Sequence, residues 1–288
     1  MKKPRPPAKG SFRLALAQMR VVGGDVEGNL ERARKMIASA AKAGAQVVLL
    51  PEALDAGWTH PSSRELADTI PAGRVCSAYR DAAQEHGLYV CAGLTEKAGA
   101  SVYNAAVLVS PKGDVLLHHR KLNELEIGHA AYDQGDRLSV AHTPIATFGL
   151  MICADGSARG QIIGRALGLM GADVILSPSA WAVEEGYDNE RHPYGAMWRR
   201  CYASVARDFR LWIAGCSNVG RIMGGPWAGH SCIGRSIVVD PRGREVLVGP
   251  FGARAAKLLT IEVVPVPRPA RGTGWVRLWQ RQVARAHG

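Results

Sequence analysis

The 288-residue sequence contains no run of eighteen apolar residues, so no segment reads as a membrane-spanning helix. It has no Cys-x-x-Cys spacing either. Its six cysteines, Cys76, Cys91, Cys153, Cys201, Cys216 and Cys232, are scattered, most of them inside apolar runs. That argues against a zinc site or a thioredoxin-type motif, and it points to a reducing cytoplasm. The opening "MKKPRPPAKG" is basic but leads into "SFRLALAQM" without an apolar core or a small-residue cleavage site, so it reads as a tail and not as a signal peptide. Between residues 11 and 265 there is no low-complexity segment, linker or repeat of fixed period. The formal charge of +11 raises the question of nucleic acid, yet no basic stretch is interleaved with stacking aromatics. Much of the excess sits at the ends, in Lys2, Lys3, Arg5 and Lys9 and in Arg268, Arg271, Arg277, Arg281 and Arg285. Neither nucleic acid nor membrane is therefore an expected partner.

What is present is an alternation of strand and helix patterns. "FRLALAQM" alternates as a strand, and "NLERARKMIASAAKAG" follows as an amphipathic helix opening at Asn29. "AQVVLLP" is a continuous apolar run, as in a strand covered on both faces. "RVCSAYRDAAQEHG" reads as a helix, "LYVCAGL" as a strand, and "YNAAVLVSPKGDVLLHHRK" as a hairpin turning at "PKGD". A strand over Gly149–Cys153, a helix near "GQIIGRALGLMG", the strand "ADVILSPS", a helix through "AMWRRCYASVARDF", the run "LWIAGCSNVG" and a second hairpin in "CIGRSIVVDPRGREVL" complete the pattern. Mixed βα units and hairpins predict an α/β layered sandwich of one domain. We divide the chain into a tail at 1–10, one domain at 11–265 and an extension at 266–288. The extension carries Trp275, Leu278, Trp279 and Val283 at near-helical spacing, a candidate oligomer contact.

Three predicted strands end in reactive groups. "VVLLPEAL" sets Glu52 past one, "VLLHHRKL" sets Lys121 past another, and "GLMICAD" ends a third at Cys153. Open α/β sheets place their sites at such carboxyl edges. Each group also has an ordinary reading: Glu52 as a helix N-terminal charge, Lys121 as a solvated cation, Cys153 as a small core residue.

These blocks resemble, in order, those of the nitrilase superfamily of carbon–nitrogen hydrolases. The glutamate block is matched by "LLPE", the lysine block by "NAAVLVSPKGDVLLHHRKL", the cysteine block by "FGLMICAD" with "LGLMGADVILSPSAW", and a later hairpin by "GHSCIGRSIVVDPRGREVL". The likeness runs from about Phe12 to about Val263. It implies a four-layer α-β-β-α sandwich, needing no metal or cofactor, and family members are usually dimers or larger, so a homodimer or larger homo-oligomer is expected. It also implies a thiol hydrolase of a small amide or N-carbamoyl compound, with Cys153 as nucleophile, Glu52 as general base and Lys121, helped by the Ala154 N–H, as oxyanion donor. The family's second glutamate falls on Glu124 or Glu126, and Glu126 is preferred.

"Cys-Ala-Asp" in place of Cys-Trp-Glu points to the amidase and carbamoylase side rather than to nitriles. Relatives that clamp a carboxylate carry arginines three or four places after the thiol; Gly156 and Ser157 stand there, and the nearest cation is Arg159. A substrate acid would need another cation, such as Arg199 or Arg200. Trp181 and His129 are candidate pocket residues, and Glu184 or Glu185 could meet a cationic group. His118, His119 and His192 lack metal-ligand spacing. Two further readings remain: an N-acyltransferase using the same thioester, and a non-catalytic scaffold, which the joint retention of Glu52, Lys121 and Cys153 argues against.

Overall fold

The computed structural model describes residues 10–266, 279–280 and 283–284. Most of the predicted tail, and Trp275 and Leu278 of the predicted oligomer contact, lie outside them. The first half of the chain forms β1 (Phe12–Gln18), α1 (Val26–Lys42), β2 (Val47–Leu49), the short α2 (Ser63–Leu66), α3 (Arg74–His86), β3 (Tyr89–Ala98), β4 (Ser101–Val109) and β5 (Val115–Arg120). The second half forms β6 (Val140–His142), β7 (Thr147–Leu150), α4 (Ile162–Met170), β8 (Val174–Ser179), β9 (Ala182–Val183) and α5 (Ala196–Phe209). Then follow β10 (Trp212–Ser217), β11 (Val219–Arg221), β12 (Ser231–Ile233), β13 (Ile237–Val239), β14 (Glu245–Val248) and β15 (Lys257–Val263).

The strands build two six-stranded sheets, ordered β15-β1-β2-β3-β4-β5 and β14-β13-β10-β8-β7-β6, and a small third sheet β11-β12-β9. In each large sheet three central strands are parallel and the flanking ones antiparallel. Since β5 is two antiparallel steps from β3, it runs with β2 and β3. The segments after β2 and β5 therefore leave the first sheet at one edge.

Side-chain alternation assigns the layers. On β1, Phe12, Leu14 and Leu16 face the second sheet, while Ala15 and Ala17 face α1 and α3. Across from them, Phe148, Leu150, Val174 and Leu176 fill the space between the sheets. The reverse face of the second sheet, including Ile175 and Ile213, packs with Leu167 of α4 and Val205 and Ala206 of α5. The layers are helix, sheet, sheet, helix, as predicted. Among the described residues no helix is long and apolar enough to cross a membrane.

Element bounds differ from the sequence pattern where capping or strain intervenes. Helix α1 opens three residues before Asn29, because the Asp25 carboxylate accepts the Gly28 N–H at 3.1 Å. Asn29 is buried inside it, donating to the carbonyls of Val22 and Asp55 and so joining the loops after β1 and β2. Strand β7 stops at Leu150 rather than at Cys153, whose φ of +44° is incompatible with a strand.

The inter-sheet layer depends on Phe148, fully buried, with its ring 5.8 Å from Phe12 and 6.1 Å from Tyr89. Phe148→Ala should lower unfolding stability by roughly 3–5 kcal/mol, read as a shifted urea midpoint with an unchanged slope.

Candidate active site

Glu52 follows β2. Backbone pairing with β3 continues past the strand, with the Gly93 N–H donating to the Pro51 carbonyl at 3.0 Å. A Cβ at Gly93 would stand 2.6 Å from Glu52 Cα, so only glycine lets the two backbones approach this closely. The Glu52 N–H reaches the Ser179 carbonyl at the end of β8, tying the glutamate to the second sheet.

Lys121 directly follows β5. Alternation turns Leu117 and His119 of that strand inward, and the next inward position is Lys121, which is 1% exposed. Its Nζ donates to Glu52 Oε1 and to Glu124 Oε1, both at 2.8 Å. Asn104 Nδ2 bridges the same two carboxylates, donating to Glu52 Oε1 at 2.7 Å and to Glu124 Oε2 at 2.9 Å. The Trp58 ring covers the ammonium, its centroid 5.6 Å from Nζ.

Cys153 opens a 3₁₀ turn, Cys153–Ser157, in the left-handed region and is 7% exposed. A non-glycine residue keeps such a conformation only when its surroundings enforce it. Burial and the neighbouring Glu52 charge push its thiol well above the ordinary value; the Lys121 ammonium and the Ala180 N–H oppose this without overcoming it. Burial likewise raises Glu52, against the pull of Lys121, and its Oε2 is a buried oxygen with no hydrogen-bond partner. For Lys121 burial acts against the charge, but Glu52 and Glu124 outweigh it and hold the ammonium above the usual lysine value. The chemical content is a protonated thiol beside a carboxylate with one uncommitted oxygen, next to a fixed cation.

The structure thus brings Glu52, Lys121 and Cys153 together. It places Glu124, not Glu126, against the lysine. Glu126 is exposed at the start of a 3₁₀ turn, Glu126–Gly128, whereas Glu124 folds back three residues from Lys121 and also accepts the Leu125 N–H. His129 is exposed, with its N–H donating to the Glu126 carbonyl, and Arg159, Arg199, Arg200, Glu184 and His192 are exposed as well. Glu185, also exposed, pairs with Arg221 at 3.4 Å. Trp181 is buried, stacked on Trp198 at 5.0 Å, with an unpartnered indole N–H. Ala154 is buried beside the thiol, and its carbonyl accepts from Asn123 Nδ2 at 2.7 Å.

Two features escaped the sequence reading. Asn104 sits in the buried run of β4, where an amide among "AAVLV" is the available signal. His119 and Asp155 form a buried pair, Nε2 to Oδ2 at 2.8 Å; the inward parity of His119 with Lys121 could have revealed it.

The chain belongs to the carbon–nitrogen hydrolase family, whose model matches residues 13–265. It is an amidase-like enzyme of that family. It is 32% identical over 198 residues to a nitrilase of Pyrococcus abyssi, covering 67% of this chain and 74% of the relative. Against omega-amidase NIT2 of Bos taurus it is 30% identical over 247 residues, covering 82% and 83%. In fold it is similar to a carbon–nitrogen hydrolase from Helicobacter pylori G27, with a TM-score of 0.79 at 20% identity over 88% of this chain and 89% of that one. A mutant amidase from Nesterenkonia sp. AN1 superposes with a TM-score of 0.74 at 22% identity, covering 91% and 94%.

Glu124→Gln takes away one of the two carboxylates on the buried Lys121 ammonium and leaves Glu52 as its charged partner. Loss of that charge-assisted contact should destabilise the fold by roughly 1–3 kcal/mol. Glu126→Gln should leave the melting temperature unchanged. Thermal unfolding of the two variants compares them directly.

Proposed function

We propose that the protein hydrolyses small neutral amides through a Cys153 thioester, with Glu52 as general base and Lys121 as oxyanion donor. The observation that carries this reading is the uncommitted Glu52 Oε2, buried beside a protonated thiol while Oε1 is engaged by Lys121 and Asn104.

In the forward step Glu52 Oε2 takes the thiol proton as sulfur bonds to the carbonyl carbon. The oxyanion forms between Lys121 Nζ and the Ala154 N–H, which lies in the first turn of a 3₁₀ helix and has no intrahelical acceptor. Protonated Glu52 returns its proton to the nitrogen, the carbon–nitrogen bond breaks, and ammonia leaves. Water then gives a proton to Glu52 as its oxygen attacks the thioester, and the thiolate departs and recovers that proton. Glu124 keeps Lys121 charged and aimed throughout.

Several observations support amides of small neutral acyl groups. Gly156 and Ser157 occupy the positions where a carboxylate clamp would stand, and Arg159, Arg199 and Arg200 are exposed. Among the relatives, one of the Nesterenkonia amidase structures carries the acetamide moiety of fluoroacetamide on its active-site cysteine, and another binds butyramide. The protein as a homo-oligomer is a separate proposal, checked by solution mass with and without residues 268–288.

Ammonia release from a panel of aliphatic amides, N-carbamoyl amino acids and nitriles tests the reaction. Wild type should release it from small amides, and Cys153→Ala protein should be inactive on the whole panel. Ammonia from the Cys153→Ala protein at the wild-type rate would eliminate the thioester route.

The raised Glu52 sets the pH profile. A neutral carboxyl cannot take the thiol proton, so activity is present above the Glu52 pKa and lost as pH falls through it. The acid limb of kcat/KM should lie above the reference glutamate value of about 4.3. A limb at or below that value would remove Glu52 from the base role.

A further inference from the structure

We propose that Asp155, locked by His119, is a positioning residue that keeps Lys121 and the Cys153 turn in mutual register. The proposal rests on the catalytic reading above. One buried carboxylate receives four donors, one from the cysteine turn and three from the segment that carries the lysine. Its Oδ2 accepts the Ile152 N–H and His119 Nε2, both at 2.8 Å. Its Oδ1 accepts the N–H groups of Leu122 at 3.1 Å and Asn123 at 2.8 Å. Four donors fill the lone-pair sites a carboxylate offers.

The distribution of those donors gives them their role. Ile152 and Asp155 bracket Cys153, and they bond reciprocally, since the Asp155 N–H also donates to the Ile152 carbonyl at 2.9 Å. That closed loop enforces the left-handed conformation at Cys153. Leu122 and Asn123 lie between Lys121 and Glu124, two of the three members of the ion cluster. His119 is on β5 two residues before Lys121, with the same inward parity, so the tie to His119 fixes the strand end that leads into the lysine. Asn123 adds a fifth tie, from Nδ2 to the Ala154 carbonyl, and so orients the segment that carries the second oxyanion donor. Asp155 touches none of the reacting atoms. It fixes the spacing between two donors that must converge on one oxygen, where a displacement of ~1 Å costs about 100-fold in rate.

A carboxylate that merely glues two sheet edges would lower stability and leave the chemistry of the folded protein intact. The measurement therefore compares thiols within one molecule. Cys153 and the half-buried Cys201 are alkylated with iodoacetamide, whose carbonyl fits the same donors, and each rate is read by peptide mass. For Asp155→Asn the Cys153 rate and kcat should fall about 100-fold, with KM changed less than about threefold and the Cys201 rate unchanged. His119→Ala should follow it. His119→Gln, which keeps a side-chain N–H for Asp155, should recover most of the loss. Wild-type alkylation of Cys153 in folded Asp155→Asn protein, or equal behaviour of His119→Gln and His119→Ala, would overturn the proposal. If Asp155→Asn does not fold, the two His119 variants decide. If wild type hydrolyses no amide, the proposed reaction fails, and the Cys153-to-Cys201 ratio still reads the register.

Discussion

A lysine ammonium that is 1% exposed sets the terms for the whole site. Moving such an ion from water into a dry interior carries an idealised penalty of order 20 kcal/mol, and one imperfect partner does not offset it. Here two carboxylates approach Nζ at 2.8 Å, an asparagine ties them together, and an indole ring covers the remaining side. Two carboxylates against one ammonium leave a surplus negative charge. That surplus has a location, Glu52 Oε2, and a consequence, since a thiol beside it does not ionise at rest. In the proposed reaction the proton stays on sulfur until a carbonyl arrives. That charge arrangement suits proton transfer coupled to attack rather than a standing thiolate.

Such a cluster needs three backbone segments brought to one point, which the sandwich supplies. The segments after β2 and β5 leave the first sheet at one edge, and β7 of the second sheet delivers its turn to the same place. Precision comes from contacts outside the reacting atoms. The Glu52 N–H binds the end of β8, the Lys121 N–H binds the Asn104 carbonyl of β4, and Asp155 joins the turn to the lysine loop. Small residues make the approach feasible: a Cβ on Gly93 would meet Glu52 Cα, and one on Gly156 would stand 2.7 Å from the Tyr202 ring.

Much of this was legible because it is local. Period-two alternation marked β1, the apolar run marked β2, and the "PKGD" turn marked the β4–β5 hairpin, so three reactive groups at strand ends could be read directly. What stayed hidden depends on partners remote in sequence or on backbone strain. Strand β15 pairs with β1 across almost the whole chain, and β9, β11 and β12 are only two or three residues long, too short for any period. Choosing between Glu124 and Glu126 required the path of the loop after β5, which Asp155 dictates by holding Leu122 and Asn123. The aspartate two places after the cysteine was visible from the start; its remote partners, His119, Leu122 and Asn123, were not, because they lie on and just after a strand of the other sheet.

The same electrostatics bear on the substrate. His119 and Asp155 form a satisfied pair, and the cations the sequence offered for a carboxylate are exposed, so the field felt beside the thiol is that of the net-negative glutamate–lysine cluster. A substrate carboxylate close to the scissile bond would meet that surplus at short range and low dielectric, where like charges repel strongly. A neutral acyl group would meet no such penalty, and in the proposed reaction its carbonyl oxygen becomes negative only as sulfur adds, between Lys121 and the Ala154 N–H. In the proposed reaction, the charge arrangement that keeps the thiol protonated at rest would also favour substrates whose negative charge appears only at the carbonyl oxygen, in the transition state.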